Sequence, residues 1–218
     1  MKLLVTAGPT REPVDAVRFL SNRSSGKMGY AIAAVGRERG HSVRLISGPV
    51  CLPPPQGVDL IRITTAEEML AAVLGNLPWC DALVMAAAVA DWRPKAPAPF
   101  KLKKTAMKPV LELEPTPDIL VRALPHKGKK IFVGFAAETS DLLSEARRKL
   151  TQKGLDLVVA NDVSRGDSGF ESDTNQVTLV TREGEVIALP LLPKREVGQR
   201  IVLWLEERAA RSGLSATP

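Results

Sequence analysis

The sequence predicts an α/β protein, a doubly wound and mostly parallel sheet that ends in a C-terminal β-hairpin. Strand signals recur at Lys2–Thr6, Ser42–Ile46, Asp59–Ile63, Ala82–Ala87, Ile131–Phe135 and Leu155–Ala160. Helical patterns fill most of the gaps, the alternation of a parallel sheet covered on both faces. After Asn161 the alternation stops. Two β-rich runs, Val177–Thr181 and Val186–Leu189, flank Arg182-Glu183-Gly184 and read as a hairpin with a glycine turn, about residues 176–190.

The first strand breaks at Gly8-Pro9, and a polar stretch then runs to a helix start at Ser24/Ser25, with Met28, Ile32 and Val35 on one face. Connections of this kind usually take ~2–6 residues. This one is longer, so it reads as an active-site loop. Strand, glycine and helix N-terminus together make an anion site, because unpaired N–H groups and the helix dipole point at the ligand. Further on, Thr65 and Glu68 form a capping box ahead of an apolar face of Met69, Leu70, Val73 and Leu74. A helix from Ser140 is expected to bury Leu142, Leu143, Ala146 and Leu150 and to stop at Gly154. A last amphipathic helix carries Val197, Ile201, Trp204 and Leu205 on one side. One domain is expected over 1–213, with a disordered tail at 214–218.

Composition narrows the function classes. The 218 residues are 44% hydrophobic and 25% charged, which suits an ordinary globular core. The net charge of +6 is concentrated. Arg93, Lys95, Lys101, Lys103, Lys104 and Lys108 crowd one proline-rich segment with no acid, and Trp92 and Phe100 are its only aromatics. That argues against a nucleic-acid surface and for a flap, about 93–109, disordered until an anion arrives. Cys51 and Cys80 lack metal-site spacing, and His41 and His126 are the only histidines. Nucleophilic Ser/His or Cys/His chemistry and a histidine- or cysteine-built metal site are therefore not expected. No apolar run is long enough for a membrane span, and the expected location is the cytoplasm.

Both common nucleotide motifs fail. The second strand ends in Ser47-Gly48-Pro49 with no acid for a ribose, and Ser21 and Met28 stand where a P-loop needs Gly and Ser or Thr. Other positions remain open to chemistry, each with a plain alternative. Asp91 follows a nearly polar-free strand and is either a ligand at the sheet's C-terminal edge or a turn cap. Ala86, Ala87 and Ala88 admit a flat base or a packed helix. Lys149 and Lys153, one turn apart, face a ligand or solvent. Asn22 is a donor or an ordinary loop asparagine.

Taken in order, several stretches together resemble one family. They are Gly8-Pro9-Thr10-Arg11-Glu12-Pro13, Arg18 to Gly29, Ala86-Ala87-Ala88-Val89-Ala90-Asp91-Trp92, Lys101-Leu102-Lys103-Lys104, Pro117-Asp118-Ile119-Leu120, Gly134 to Thr139 and Ala160-Asn161-Asp162-Val163. The family is phosphopantothenoylcysteine synthetase, the phosphopantothenate–cysteine ligase of coenzyme A synthesis. In many bacteria it is the C-terminal half of a protein fused to a flavin-dependent decarboxylase. The resemblance implies a Rossmann-like fold, a homodimer paired through the hairpin region, and a CTP-dependent reaction with Mg²⁺. In that reaction 4′-phosphopantothenate is activated as an acyl-cytidylate and L-cysteine then forms the amide. It implies catalytic roles for Asn22 and Lys101, and substrate binding by Arg18, Asn22, Ala87 and Ala88. Nucleotide contacts are implied for Gly8, Ala86, Ala87, Asp91, Lys101, Pro117, Asp118, Ile119, Leu120, Phe135, Lys149 and Lys153. No direct metal ligand follows, and the residues leave CTP against ATP open. Two other classes stay in view. One is a nicotinamide oxidoreductase, although Tyr30 lacks a lysine four residues on, and the other is a non-enzymatic basic binding module.

Overall fold

Leu3, Leu4, Val5 and Ala7 are fully buried, so the first strand sits inside the sheet rather than at its edge. The structure, a computed structural model, describes residues 1–104, 110–138, 141–162 and 172–213. In chain order its elements are β1 (Lys2–Ala7), β2 (Arg11–Pro13), β3 (Phe19–Ser21), α1 (Lys27–Glu38), β4 (Ser42–Ser47), β5 (Asp59–Arg62) and α2 (Ala66–Asn76). Next come β6 (Ala82–Met85), β7 (Trp92–Pro94), β8 (Leu113–Pro115), α3 (Ile119–Ala123) and β9 (Ile131–Glu138). The chain closes with α4 (Leu142–Gln152), β10 (Leu157–Asp162), β11 (Thr174–Asn175), β12 (Val177–Thr181), β13 (Val186–Ala188), β14 (Leu192–Pro193) and α5 (Lys194–Arg211).

The main sheet has the order β13-β12-β10-β9-β6-β1-β4-β5. Every pair from β10 to β5 is parallel, and β12 and β13 add the expected antiparallel hairpin, its turn at Gly184 with φ 92°. From β1 the chain steps outward to β4 and β5, then returns to the other side of β1 at β6. Strand order reverses there, which opens a crevice at the C-terminal ends of the strands. Alternation along β1 divides the core. Leu3 and Val5 face α1 and α5, with Ile32, Val35, Val197, Ile201 and Leu205. Leu4 faces the layer of α2, α3 and α4, with Met69, Val73, Ala123, Ala146 and Leu150.

Several elements depart from the sequence reading. Helix α1 starts at Lys27, not at Ser24/Ser25, because the backbone turns left-handed at Gly26 (φ 78°) and no side chain caps it. The strand expected to reach Ala87 ends at Met85. Leu143 is 41% exposed while Leu142 packs on the core. One residue further round a helix of 3.6 residues per turn, Leu143 misses the seam set by Ala146 and Leu150. Ser140 and the tail at 214–218 lie outside the described residues. The capping box of α2 forms as read, and Glu12, 2% exposed, adds a second acceptor there for the N–H of Ala66 at 2.9 Å.

The long connection after β1 is itself folded. Strands β2 and β3 pair as a hairpin, with Asp15 buried inside its loop. Asp15 accepts from the backbone N–H groups of Val17, Arg18 and Leu102 at 2.9, 2.8 and 3.1 Å, and from the Arg18 guanidinium. The guanidinium foremost, then those N–H donors, holds its carboxyl well below the usual carboxylate range against the opposing pull of burial. The expected flap begins in the β7–β8 ribbon, and its residues 105–109 lie outside the described set. Its described part is tethered to the hairpin, Ala98 N–H to the Val14 carbonyl at 3.0 Å and Leu102 to Asp15. His41 joins α1 to α5 through Glu206 at 2.8 Å, a packing role. Cys51 is exposed, whereas burial pushes the Cys80 thiol up to about 12. Among the described residues no helix is long and apolar enough to cross a membrane.

Two outcomes follow from this packing. A Cβ on Gly29 would lie 2.5 Å from Ala7 Cβ and 2.7 Å from the Thr6 carbonyl oxygen, whereas one on Gly75 in α2 would meet nothing within 4 Å. Gly29→Ala should therefore cost about 1–3 kcal/mol in urea unfolding, and Gly75→Ala should gain up to about 1 kcal/mol; the reverse order would refute the close approach of α1 to β1. Asp15→Ala should speed trypsin cleavage at Lys101, Lys103 and Lys104, and cleavage at the wild-type rate would remove Asp15 as the flap's anchor.

Candidate functional site

Beyond Ala7 and Met85 the β1–β6 pairing continues without regular strand geometry and becomes the floor of a cavity of about 500 Å³. The Ala88 N–H donates to the Gly8 carbonyl at 2.9 Å, and Pro9 and Ala88 form a parallel bridge. The hydroxyls of buried Thr6 and Thr10 accept from the N–H groups of Ala87 and Ala90 at 3.1 and 3.0 Å. The Asn22 amide donates to the carbonyls of Ala88 and Val89 at 3.3 and 3.0 Å, which fastens the loop before α1 onto this floor. Ala86, Ala87 and Ala88 line the cavity with nothing larger than a methyl group.

The two helix layers supply opposite walls. On the α3/α4 side stand Pro117, Asp118, Ile119, Leu120, Lys149 and Lys153, with Phe135 of β9 beside them. Asp118 caps α3 by accepting from the Val121 N–H at 3.2 Å and pairs with Lys153 at 2.9 Å. On the α1/α5 side stand Gly26, Lys27, Met28 and Lys194, with Asn161 and Asn175. Lys27 pairs with Asp173 at 2.6 Å. Lys194 is only 6% exposed. Burial first, and the neighbouring Lys27 second, pull its amine down to about 8. The cavity thus joins an uncapped helix N-terminus and four lysines to a bed of small residues. Such a surface accepts a long polyanion carrying a flat group.

The sequence-predicted residues divide between cavity and surroundings. Asn22, Ala86, Ala87, Ala88, Asp91, Pro117, Asp118, Ile119, Leu120, Phe135, Lys149 and Lys153 all line the cavity. Gly8 (φ 75°) supports the floor through its carbonyl. Asp91 sits well past the end of β6 and directly before β7, not at the C-terminal end of a strand, and its carbonyl accepts from the Thr116 N–H. Arg18 and Lys101 do not line it. Arg18 is held by Asp15, and Lys101 is exposed on the flap. The Asn22 N–H₂ group is committed to two carbonyls, so donation to an acyl group requires it to release one of them. Sequence reasoning missed Lys27 and Lys194 as cavity residues, along with Thr116, Asn161 and Asn175. Asn161 lay within a quoted motif, whereas Lys194 looked like the ordinary first residue of an amphipathic helix. Among the described residues no group of three or more His, Cys, Asp or Glu could hold a metal ion.

Comparison with known proteins shows what the chain is similar to. The chain is 46% identical over 211 residues to the coenzyme A biosynthesis bifunctional protein CoaBC of Bacillus subtilis, covering 96% of this chain and 51% of that protein. It is 44% identical over 215 residues to the Escherichia coli K12 protein of the same name, covering 97% and 52%. The chain therefore spans about half the length of these relatives. The crystal structure of a C-terminal domain of CoaBC superposes with a TM-score of 0.84 at 42% identity, covering 96% of each chain. A Cab2 mutant in complex with phosphopantothenate-cysteine shares the fold at 19% identity and a TM-score of 0.79, covering 97% of this chain and 88% of that one. The family model of the DNA/pantothenate metabolism flavoprotein C-terminal domain matches residues 1–208, and the chain belongs to that family.

Proposed function

We propose that this chain is a ligase joining the amine of L-cysteine to the carboxylate of 4′-phosphopantothenate, with CTP as the activating co-substrate. The observation that carries this reading is the cavity itself, with its alanine bed, uncapped α1 N-terminus and lysines on both walls, in a family whose bifunctional members serve coenzyme A biosynthesis. A carboxylate does not react with an amine until its oxygen becomes a leaving group. In the first step a carboxylate oxygen attacks the α-phosphorus of CTP. The bond from that phosphorus to the bridging oxygen breaks, and pyrophosphate leaves with the electron pair. In the second step the cysteine nitrogen attacks the acyl carbon, the acyl–oxygen bond breaks, CMP leaves, and the nitrogen loses a proton to water.

Nothing in this sequence needs a protein nucleophile. The chain's contribution is position and charge. Base and ribose rest against Ala86–Ala88, Phe135 and the Pro117–Leu120 segment, with Lys149 and Lys153 above. The phosphates extend towards the N–H groups at the start of α1. Mg²⁺ fits as the triphosphate's counter-ion, since it is usually held by one or two carboxylates together with phosphate oxygens. Asp91, on the cavity lining, would be the carboxylate to help hold the ion, and the ion's charge would offset that of the leaving group.

Arg18 and Lys101 lie outside the cavity, which supports completion of the site by a second copy of the chain. Phe19, 48% exposed on β3, and Trp92, 54% exposed on β7, offer an apolar surface on the ribbons that carry these two residues. This surface differs from the β12–β13 hairpin that the sequence reading favoured. In a C2 dimer each flap would then reach the partner's cavity.

Pyrophosphate should appear without cysteine at one equivalent per site. Asn22→Ala should slow amide formation by ~10²–10³, and Asn22→Asp more, because it adds negative charge where charge develops. Rapid-quench counting of both products checks this, and Asn22→Asp at the wild-type rate would remove Asn22 from the chemistry. Thermal protection by NADP but not CTP would favour an oxidoreductase instead. Mixing inactive Asn22→Asp and Lys101→Gln proteins should restore part of the activity; a monomer by light scattering at micromolar concentration would end the shared-site arrangement.

A further inference from the structure

Ala90 lies where the cavity floor meets the flap ribbon, and both of its backbone groups are met by threonine hydroxyls. The residue is buried, so an unmet group there would be costly. Its N–H donates to Thr10 Oγ1 at 3.0 Å, and its carbonyl accepts from the Thr116 hydroxyl. Thr10 is itself fully buried, and its carbonyl accepts from the Ser21 hydroxyl at 2.7 Å, one residue before Asn22. Thr116 directly follows β8, and its N–H donates to the Asp91 carbonyl at 2.9 Å. Two consecutive carbonyls of the floor are thus held by one residue.

The flap ribbon needs such a hold. Its pairs are Trp92 with Pro115, Arg93 with Glu114 and Pro94 with Leu113, so a proline without an N–H stands at each end of the short ladder. Ribbons of this size do not stand alone. Thr116 carries the ladder one bond past Pro115 and adds a side-chain bond beyond it. Pro117 comes next and restricts Thr116 to extended backbone. The chain then enters the α3/α4 wall, where Asp118 caps α3 and pairs with Lys153. Thr116 lines the cavity at the corner where floor, wall and flap meet.

We propose that Thr116 is a positioning residue for the ligation, fixing through Ala90 and Asp91 the angle at which the α3/α4 wall and the flap ribbon stand on the cavity floor. This rests on the reading of the cavity as a nucleotide site. A nucleoside seated against Pro117–Leu120 takes its place from the wall. Asn22 takes its place from the floor, through the carbonyls of Ala88 and Val89. The carboxylate and the α-phosphorus meet only if wall and floor keep one register, and misplacement by about 1 Å costs on the order of 10²-fold in rate. The hydroxyl of Thr116, not its bulk, supplies that register. Its proton is committed to the Ala90 carbonyl, so it acts through the backbone and not on the reacting atoms.

The test compares Thr116→Val, which keeps the β-branch and loses the donor, with Thr116→Ser, which keeps the donor. CTP affinity by calorimetry should stay within about threefold of wild type in both, since the contacts to the nucleotide are kept. Pyrophosphate release without cysteine should slow about 10- to 100-fold in Thr116→Val and return to within about threefold of wild type in Thr116→Ser. A merely structural threonine would lower the melting temperature without splitting rate from affinity. Thr116→Val at the wild-type rate, a loss of CTP affinity equal to the loss of rate, or failure of Thr116→Ser to restore the rate would each overturn the proposal. Should Thr116→Val fail to fold, backbone amide exchange on wild type decides. The N–H groups of Ala90 and Thr116 should slow together when CTP binds, and slowing of one without the other would overturn the proposal. Wild type that neither binds CTP nor forms amide would overturn the function itself, and this inference with it. Wild type that does both while Thr116→Val matches its rate would overturn the positioning role alone.

Discussion

The site depends on one backbone contact, the Ala88 N–H to the Gly8 carbonyl, and on the parallel run it prolongs. The regular register of β1 with β6 ends at Thr6 and Met85, where β6 stops, and β1 keeps its pairing with β4 for one residue more. Ordinarily they would diverge at a change of strand order, leaving polar groups to water. Here Thr6, Thr10 and Gly8 satisfy the N–H groups of Ala87, Ala90 and Ala88, so the floor stays closed although it is not strand. Each bond contributes only about 0.5–1.5 kcal/mol net, but leaving one such buried group unmet costs about 1–3 kcal/mol. The floor therefore holds or fails together. Because Asn22 is anchored to two carbonyls of the same run, the loop entering α1 inherits that rigidity.

The second layer of organisation is the hairpin built into the loop. Its strands have three residues each, and the β7–β8 ribbon is as short. Neither has enough apolar surface to stand alone. They are held by Asp15, which ties its own hairpin to Leu102 in the flap. The carboxyl's pKa lies below its ordinary value, so the tether is complete above the usual carboxylate range and is lost only as pH falls through the low folded value. At neutral pH this anchor does not titrate. The flap's position is thus set by a charge pair that pH near 7 leaves alone.

What the sequence made legible follows from range. Local signals read correctly: the Thr65–Glu68 box, the Gly184 turn, and the apolar strands whose residues alternate between two cores. The start of α1 was misplaced because Ser24 and Ser25 look like caps, while the true boundary is a left-handed glycine after them. The ribbons were invisible because prolines and short length mask a strand whose partner is distant in sequence. On the site, the positions quoted from motifs largely converge, since the floor and the α3/α4 wall are built from contiguous stretches. Lys194 and Asn175 converge through the β11–β14 pairing and the Lys194 N–H to Asp173 carbonyl bond, contacts no local pattern announces. Asp15 is hidden for the same reason, since its partner Leu102 is 87 positions away.

The contrast between Asp15 and Lys194 shows how this fold divides stability from function. Asp15 has a depressed pKa because partners favour its charged form, so the folded state gains from that charge. Lys194 has a depressed pKa because its surroundings oppose its charged form. The sign is therefore opposite in effect. Above the unfolded-state pKa the amine is neutral in both states and costs nothing. As pH falls through the interval down to about 8, the unfolded chain protonates first and folding loses ground. Below about 8 the folded protein carries the buried cation at a standing cost.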